Sequence, residues 1–225
     1  TADSILQPGE IVSLFGAGLG PPIGVTAMPD SNGRYPTQLA GVIVYRVSAA
    51  PSLFAGPGQI NLQVPFEFSG AGYMTVVTPN GALPPIPISS SPSIGVFQQS
   101  GTNYAAALNQ DGTANSAANP AAPGSIVSLF VTGLDLSLTA NTDGALWKLS
   151  DAEDLTEALG IEVGSVLYPA TLPALYAGPA PGLIDGVIQI NGKLPSSPPN
   201  LLPLTVRQSR GTGTESNTVQ VYGAN

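Results

Sequence analysis

The sequence predicts an all-β fold made of two tandem antiparallel β-sandwich domains. Three observations predict it: an internal repeat, apolar residues that alternate with polar ones, and frequent turn-forming residues. Of the 225 residues, 27 are Gly and 23 are Pro, and these residues separate almost all of the short apolar runs. Many short strands divided by turns are typical of sandwiches and barrels.

The repeat begins with one long match. Residues 8–20 read PGEIVSLFGAGLG and residues 123–135 read PGSIVSLFVTGLD, with identical residues at nine of the thirteen positions. In both copies a Gly, at Gly18 and Gly133, follows the apolar run. Because Gly adopts positive φ at little cost, we expect a turn there.

A second match follows in the same order. LFAGP at 53–57 corresponds to LYAGP at 175–179, and each leads on to a Gln-Ile-Asn segment. The spacing between the copies grows along the chain, which indicates added loop residues in the second copy. The sequence therefore predicts two homologous domains, at 1–97 and 98–225, the second with a longer acidic insertion at about 136–160.

The apolar runs have the period of two that is typical of strands with one wet face. In QINLQVP at 59–65, Ile60 and Leu62 alternate with Asn61 and Gln63. Comparable runs lie at 41–47, 73–78, 125–131, 161–168, 203–209 and 218–223. The residues expected inside the sandwiches are Ile11, Leu14, Ile60, Leu62, Ile126, Leu129, Ile188 and Ile190.

One segment breaks this pattern and predicts a short helix over 151–159. Ser150 and Glu153 have the spacing of a capping box, in which the two side chains bind backbone N–H groups at the start of a helix. Gly160 is a suitable C-terminal stop. The helix would lie within the insertion of the second domain.

Composition excludes several function classes. The chain has no Cys and no His, so it has no disulfide, no thiolate nucleophile and no Ser-His-Asp triad. Its net charge is −8, which disfavours nucleic acid as a partner. No apolar run approaches the roughly 20 residues that span a bilayer, so we expect no membrane insertion, and nothing in the sequence predicts a cofactor.

Carboxylate pairs are the main catalytic alternative. Asp151 and Asp154 could act as the two acids of a glycosidase, but both would lie on an exposed helix without an apolar pocket to raise a pKa. We therefore expect that the chain is not an enzyme.

Acidic residues concentrate between Asp135 and Glu162, and oxygen ligands of this kind suit Ca²⁺. The candidate metal ligands are Asp143, Asp151 and Asp154. Their spacing matches no complete calcium loop, and Asn109-x-Asp111-Gly112 imitates only the start of one. The pattern favours solvated helix-face and turn residues over a metal site.

Aromatic residues offer a second kind of site. Trp147 is the only Trp, and with Tyr168 or Tyr176 it could stack on a sugar ring. An isolated Trp more commonly anchors its own loop, so the sequence favours that interpretation and keeps sugar binding as the alternative.

Taken together, the motifs PG-x-IV-S-L-F-x-x-GL, Y/F-AGP and QIN-x-x-x-P resemble an acidobacterial C-terminal domain family first noted in Solibacter proteins. NQDG at 109–112 and NP-x-x-PGSIVSLF-x-TGL at 119–134 belong to the same resemblance, which covers nearly the whole chain. More distantly, the IVSLFGAGLG strand is similar to IPT/TIG domains. The resemblance implies tandem immunoglobulin-like domains at the end of larger secreted or surface proteins, and it assigns no catalytic or binding residue.

From these observations we expect a non-catalytic extracellular or cell-surface module with an adhesive, scaffolding or spacer role. Its partners would be proteins or glycans at the cell surface, within a larger parent chain. Two alternatives remain, a carbohydrate-binding module that uses loop aromatics and a calcium-stabilised surface domain.

Overall fold

A computed structural model describes residues 4–136, 141–151, 153–165, 168–210 and 213–224. Over these residues the protein is nearly all β, with several antiparallel sheets and one very short α-helix, which confirms the predicted fold class. It divides into two compact units. Unit 1 comprises Thr1–Pro92, Asp135–Leu149 and Pro181–Gly186, and unit 2 comprises Ser93–Leu134, Ser150–Ala180 and Val187–Asn225.

Unit 1 forms two sheets from the first half of the chain. Its strands are β1 (Ser4–Leu6), β2 (Ile11–Phe15), β3 (Val25–Thr26), β4 (Ile43–Tyr45), β5 (Ser52–Ala55), β6 (Gln59–Gln63), β7 (Gly72–Thr78), β8 (Gly81–Ala82) and β9 (Ile86–Ser90). One sheet has the order β1-β9-β7-β4, with β8 paired to β7, and the other has the order β2-β6-β5-β3. Buried residues of both sheets, among them Val44, Val76, Ile60 and Leu62, form one core, as in a β-sandwich.

Unit 2 also forms two sheets. Its strands are β10 (Gly95–Val96), β11 (Leu108–Asn109), β12 (Ile126–Thr132), β13 (Ile161–Ser165), β14 (Tyr168–Leu172), β15 (Ala174–Pro179), β16 (Ile188–Lys193), β17 (Leu201–Gln208) and β18 (Val219–Tyr222). The sheet orders are β10-β12-β16-β15, with β11 on β12, and β14-β13-β17-β18. In the first sheet, the order β12-β16-β15 corresponds to the order B-E-D of immunoglobulin domains. In the second sheet, the order β13-β17-β18 corresponds to the order C-F-G.

The repeated motifs occupy the same place in each unit. The IVSLF segment forms β2 and β12, and the Gln-Ile-Asn segment forms the antiparallel neighbours β6 and β16. Leu14 pairs with Ile60 in unit 1 as Leu129 pairs with Ile190 in unit 2. The predicted turn glycines have positive φ, 70° at Gly18 and 76° at Gly133.

Most of the expected core residues are buried, but Ile11 and Ile126 lie on the opposite face of their strands from Leu14 and Leu129. Leu129 and Ile190 are fully buried, whereas Ile11 and Ile126 are only half-buried. Ile11 pairs with Gln63 and therefore lies on the same sheet face as Gln63, opposite the face of Leu14. Since side chains alternate along a strand, the inward neighbours of Leu14 and Leu129 are Val12 and Val127 instead.

The predicted helix is shorter than expected. The α-helix, α1, spans Thr156–Leu159, and a separate 3₁₀ turn covers Leu149–Asp151. Because α1 begins at Thr156, Ser150 and Glu153 precede it and form no capping box for it. Gly160 ends the helix in the left-handed conformation at φ 60°, as predicted. Residue 152 lies outside the described residues.

The compact units differ from the predicted division at 1–97 and 98–225. Residues 135–149, which contain half of the predicted insertion, belong to unit 1 together with residues 181–186. The reason is backbone pairing: the Tyr35 N–H donates to the Gly144 carbonyl at 2.8 Å, and the Leu146 N–H donates to the Gly33 carbonyl at 2.8 Å. The chain thus passes between the units five times.

We expect truncation of two leucines of unit 2 to lower the free energy of unfolding by very different amounts. Leu129→Ala leaves a cavity at a fully buried position, so we expect the free energy of unfolding to fall by about 2–5 kcal/mol. Leu201→Ala, at a position that is 40% exposed, should cost less than about 1 kcal/mol. Urea denaturation of both variants measures the difference, and equal losses would contradict the assigned strand faces.

Candidate functional site

A polar triad joins the two repeated strands on the outer face of unit 1. The Ser13 hydroxyl donates to Asn61 Oδ1 at 2.9 Å, and Gln59 Nε2 donates to the same oxygen at 2.6 Å. The strand register places these side chains together, because Ser13 pairs directly with Asn61. The amides that the sequence offered as ligand contacts are thus partly engaged with one another.

The same triad recurs in unit 2. The Ser128 hydroxyl donates to Asn191 Oδ1 at 2.8 Å, and Gln189 Nε2 donates to it at 2.9 Å. The repetition of both contacts favours the structural interpretation of the Gln-Ile-Asn motif, in which the side chains hold two neighbouring strands in register.

Gln63, two residues beyond the triad on β6, is fully buried rather than on a wet face. Residues of the segments 135–149 and 181–186 cover it. Its Oε1 accepts the Gly144 N–H at 2.7 Å, and its Nε2 donates to the Asp185 carbonyl. One side chain therefore satisfies two backbone groups from distant parts of the chain.

The Asp185 carboxyl lies in the same buried region and is 2% exposed. Its Oδ2 accepts the Thr142 N–H at 2.6 Å. Among the described residues, Oδ1 has no hydrogen-bond partner, and neither does the buried Nε1 of Trp147. Burial raises the pKa of Asp185 to about 6, because the charged form loses its hydration.

The three candidate metal ligands fall in different surroundings. Asp143 belongs to unit 1, where its carboxylate accepts the Phe66 N–H at 2.9 Å and where burial raises its pKa. Asp154 belongs to unit 2 and accepts the Thr156 N–H at 3.0 Å, while its bond from the Thr156 hydroxyl lowers its pKa. Asp151 lies in the 3₁₀ turn, and its side chain is outside the described residues.

Within the described ranges, no group of three or more acidic side chains is placed to hold a metal ion. Two of the candidate carboxylates instead bind backbone N–H groups, which is how turns and helix starts are stabilised. The calcium alternative therefore gains no geometric support from the described part of the chain.

The aromatic candidates are divided between the two units. Trp147, in unit 1, is half-buried, and its backbone N–H donates to the Leu183 carbonyl at 2.9 Å. Tyr176, in unit 2, donates its hydroxyl to the Pro179 carbonyl at 3.0 Å. Tyr168 begins β14, and its side chain lies outside the described residues. Because the Trp147 Nε1 has no hydrogen-bond partner among the described residues, both interpretations of this side chain stay predictions.

Unit 2 contains an open cavity of about 430 Å³. From the sequence, parts of its lining are predicted only as a truncated calcium motif and as family-like motifs. Its lining residues are Asn109, Gln110, Asp111, Asn119, Pro120, Ala122 and Ser125. The volume lies within the range of small-ligand sites. The density of amide side chains is a sequence signal for such a site. The sequence does not show, however, that the segments 109–111 and 119–125 lie together.

The turn at 109–112 is held by its own backbone and by an aspartate. The Asn109 N–H donates to the Thr113 carbonyl at 2.8 Å, and the Gly112 N–H donates to the Asn109 carbonyl at 2.9 Å. Asp111 Oδ1 accepts the N–H and the hydroxyl of Thr113 at 3.0 and 2.6 Å. These bonds lower the pKa of Asp111, so this exposed side chain is a carboxylate at neutral pH.

No helix in the described part of the chain has the length and apolar character needed to span a membrane. No protein-family model matches the sequence, and a search of curated proteins finds no match either.

Two glutamines of one strand provide a test of the buried network. Gln63→Ala leaves the Gly144 N–H and the Asp185 carbonyl without partners in a buried region, so we expect a loss of about 2–4 kcal/mol in unfolding free energy. Gln59→Ala is the matched control, since its partner Asn61 is accessible to water, and it should cost less than about 1 kcal/mol. Urea denaturation at neutral pH compares them, and similar losses would contradict the network.

The buried acids predict a dependence of stability on pH. Burial raises the pKa of Glu10 to about 7 and that of Asp185 to about 6. The folded state therefore takes up protons at a higher pH than the unfolded state, and its stability rises as the pH falls from about 8 to about 5. Asp185→Asn, which keeps an oxygen acceptor for Thr142, should reduce this rise. Denaturation at both pH values measures it, and a loss of stability on acidification over this range would contradict the assignment.

Proposed function

We propose that this chain is a non-catalytic, extracellular immunoglobulin-like module that carries load as a spacer or scaffold at the cell surface. The proposal rests on a parallel pair in each unit: in unit 1 the first strand pairs with the last strand of the segment Thr1–Pro92, and in unit 2 an early segment pairs with the C-terminal strand. In such a pair, tension on opposite ends runs along the strands and loads all of the connecting hydrogen bonds at once.

In unit 1 the parallel pair is β1 with β9, in the register Ser4↔Ile88, Ile5↔Ser89 and Leu6↔Ser90. Because both strands run in the same direction, a pull on the start of β1 and on the end of β9 shears the pair. A pull on the starts of both strands would instead break the hydrogen bonds one at a time from one end.

Unit 2 has a comparable arrangement at its C-terminal strand. Gln220, in β18, forms a parallel bridge with Tyr104, and the neighbouring Gly223 forms one with Ala121. The Tyr104 and Tyr222 rings also lie 4.7 Å apart between centroids. Tension between the early segment and the end of β18 therefore also shears a parallel contact.

Other observations support a structural role. The repeated motifs form the same strand pair and the same polar triad twice, and two candidate catalytic or metal-binding carboxylates, Asp143 and Asp154, bind backbone N–H groups. Membership of the acidobacterial C-terminal domain family, with partners among surface proteins or glycans and within a larger parent chain, belongs to the same proposal.

Single-molecule pulling tests the load-bearing role. The chain has no Cys, so pairs of introduced cysteines give unique attachment points. Ser4→Cys with Ser90→Cys loads β1 and β9 in shear, and Ser4→Cys with Ile86→Cys loads the same pair from one end. The proposal predicts a clearly higher unfolding force in the first geometry. An equal or lower force in that geometry would count against it.

A further inference from the structure

We propose that the cavity of unit 2, lined by residues of the segments 109–111 and 119–125, is a binding site for a neutral carbohydrate. This inference goes beyond the load-bearing role, because a spacer requires no ligand. It also involves none of the aromatic residues that the sequence offered for sugar binding.

The cavity brings together two segments that are separate in the sequence. Asn109 joins them: it is 8% exposed, its Oδ1 accepts from Asn115 Nδ2 at 2.9 Å, and its Nδ2 donates to the Asn119 carbonyl at 3.0 Å. These bonds hold this part of the lining in place. A preformed lining reduces the entropy lost when a ligand is bound.

The first segment contributes two side chains that are each held at one end. Asp111 Oδ1 is bound by Thr113, and Gln110 Oε1 accepts the Ile126 N–H at 3.1 Å. Among the described residues, Asp111 Oδ2 and Gln110 Nε2 have no protein partner. The site therefore offers a carboxylate oxygen and an amide N–H₂ group on side chains whose positions are already restrained.

The second segment contributes two more side chains of this kind. Asn119 Nδ2 donates to the Thr113 hydroxyl at 2.7 Å and to the Ala114 carbonyl at 3.1 Å, while its Oδ1 accepts from no described residue. The Ser125 hydroxyl donates to the Ala122 carbonyl at 2.7 Å, which leaves its oxygen able to accept. The lining thus offers three acceptors and one donor group.

This mixture matches hydroxyl groups, which both donate and accept. An anion would be repelled by Asp111, and a calcium ion needs six to eight oxygen ligands, usually with several carboxylates, whereas the lining contains one carboxylate. Pro120 and Ala122 add apolar surface, which suits the C–H face of a sugar ring. A neutral sugar with adjacent hydroxyls meets all of these conditions.

The experiment is an NMR titration of the full chain, labelled with ¹⁵N, against cellobiose, mannobiose, galactobiose and chitobiose, with calcium chloride alone as a separate arm. We expect at least one sugar to shift the side-chain amide signals of Gln110 and Asn119 and the backbone signals of Asp111 and Ser125. Asp111→Asn keeps an oxygen for the Thr113 bonds and removes the charge, so it should weaken binding roughly tenfold or more.

Asp30→Asn is the matched control. Asp30 lies in unit 1 and has a similar local role, since its Oδ1 accepts the N–H groups of Asn32 and Arg34, each at 2.9 Å. This variant should bind the sugar with unchanged affinity. The proposal would be overturned if none of the four sugars shifted these NMR signals, if calcium alone shifted them, or if the two substitutions had equal effects on binding. None of these outcomes bears on the pulling experiment, so the two proposals fail separately.

Discussion

The arrangement of unit 1 depends on the two hydrogen bonds of the buried Gln63 side chain. A glutamine on a sheet face is ordinarily hydrated, but here its amide binds the Gly144 N–H and the Asp185 carbonyl. Both partners are supplied by the later half of the sequence. Because buried backbone groups without partners cost free energy, the segments 135–149 and 181–186 are held on unit 1 by polar contacts as well as by packing. Asp185 is buried as a result, and its raised pKa follows from that burial.

This interleaving couples the stability of the two units. Two stretches of unit 2, 93–134 and 150–180, connect parts of unit 1. If unit 2 unfolded alone, unit 1 would have to close flexible loops of roughly 40 and 30 residues, at an entropic cost of about 3 kcal/mol each. The folded unit 2 removes that cost. A module built in this way resists the loss of one unit while the other persists, which suits the proposed load-bearing role.

The local patterns of the sequence were sufficient to predict the repeated strands. Alternation placed Ile60, Leu62 and Leu129 inside, and Gly160 ended a helix where it was expected. Contacts between distant segments could not be predicted in the same way. Alternation alone puts Gln63 in water, because nothing near it in the sequence reveals that residues 144 and 185 cover it. The helix begins late because Asp154, not Ser150, binds the first N–H group. The cavity was missed for the same reason, since its two segments carry only ordinary turn signals.

The most direct test asks whether residues 1–97, the first domain that the repeat predicts, fold without the rest of the chain. The fragment lacks the groups that bind Gln63, Gly33 and Tyr35. The measurement is the thermal unfolding of the fragment and of the full chain, followed by near-ultraviolet circular dichroism. We expect one cooperative transition for the full chain and none for the fragment. A fragment that unfolds cooperatively at a temperature near that of the full chain would contradict it.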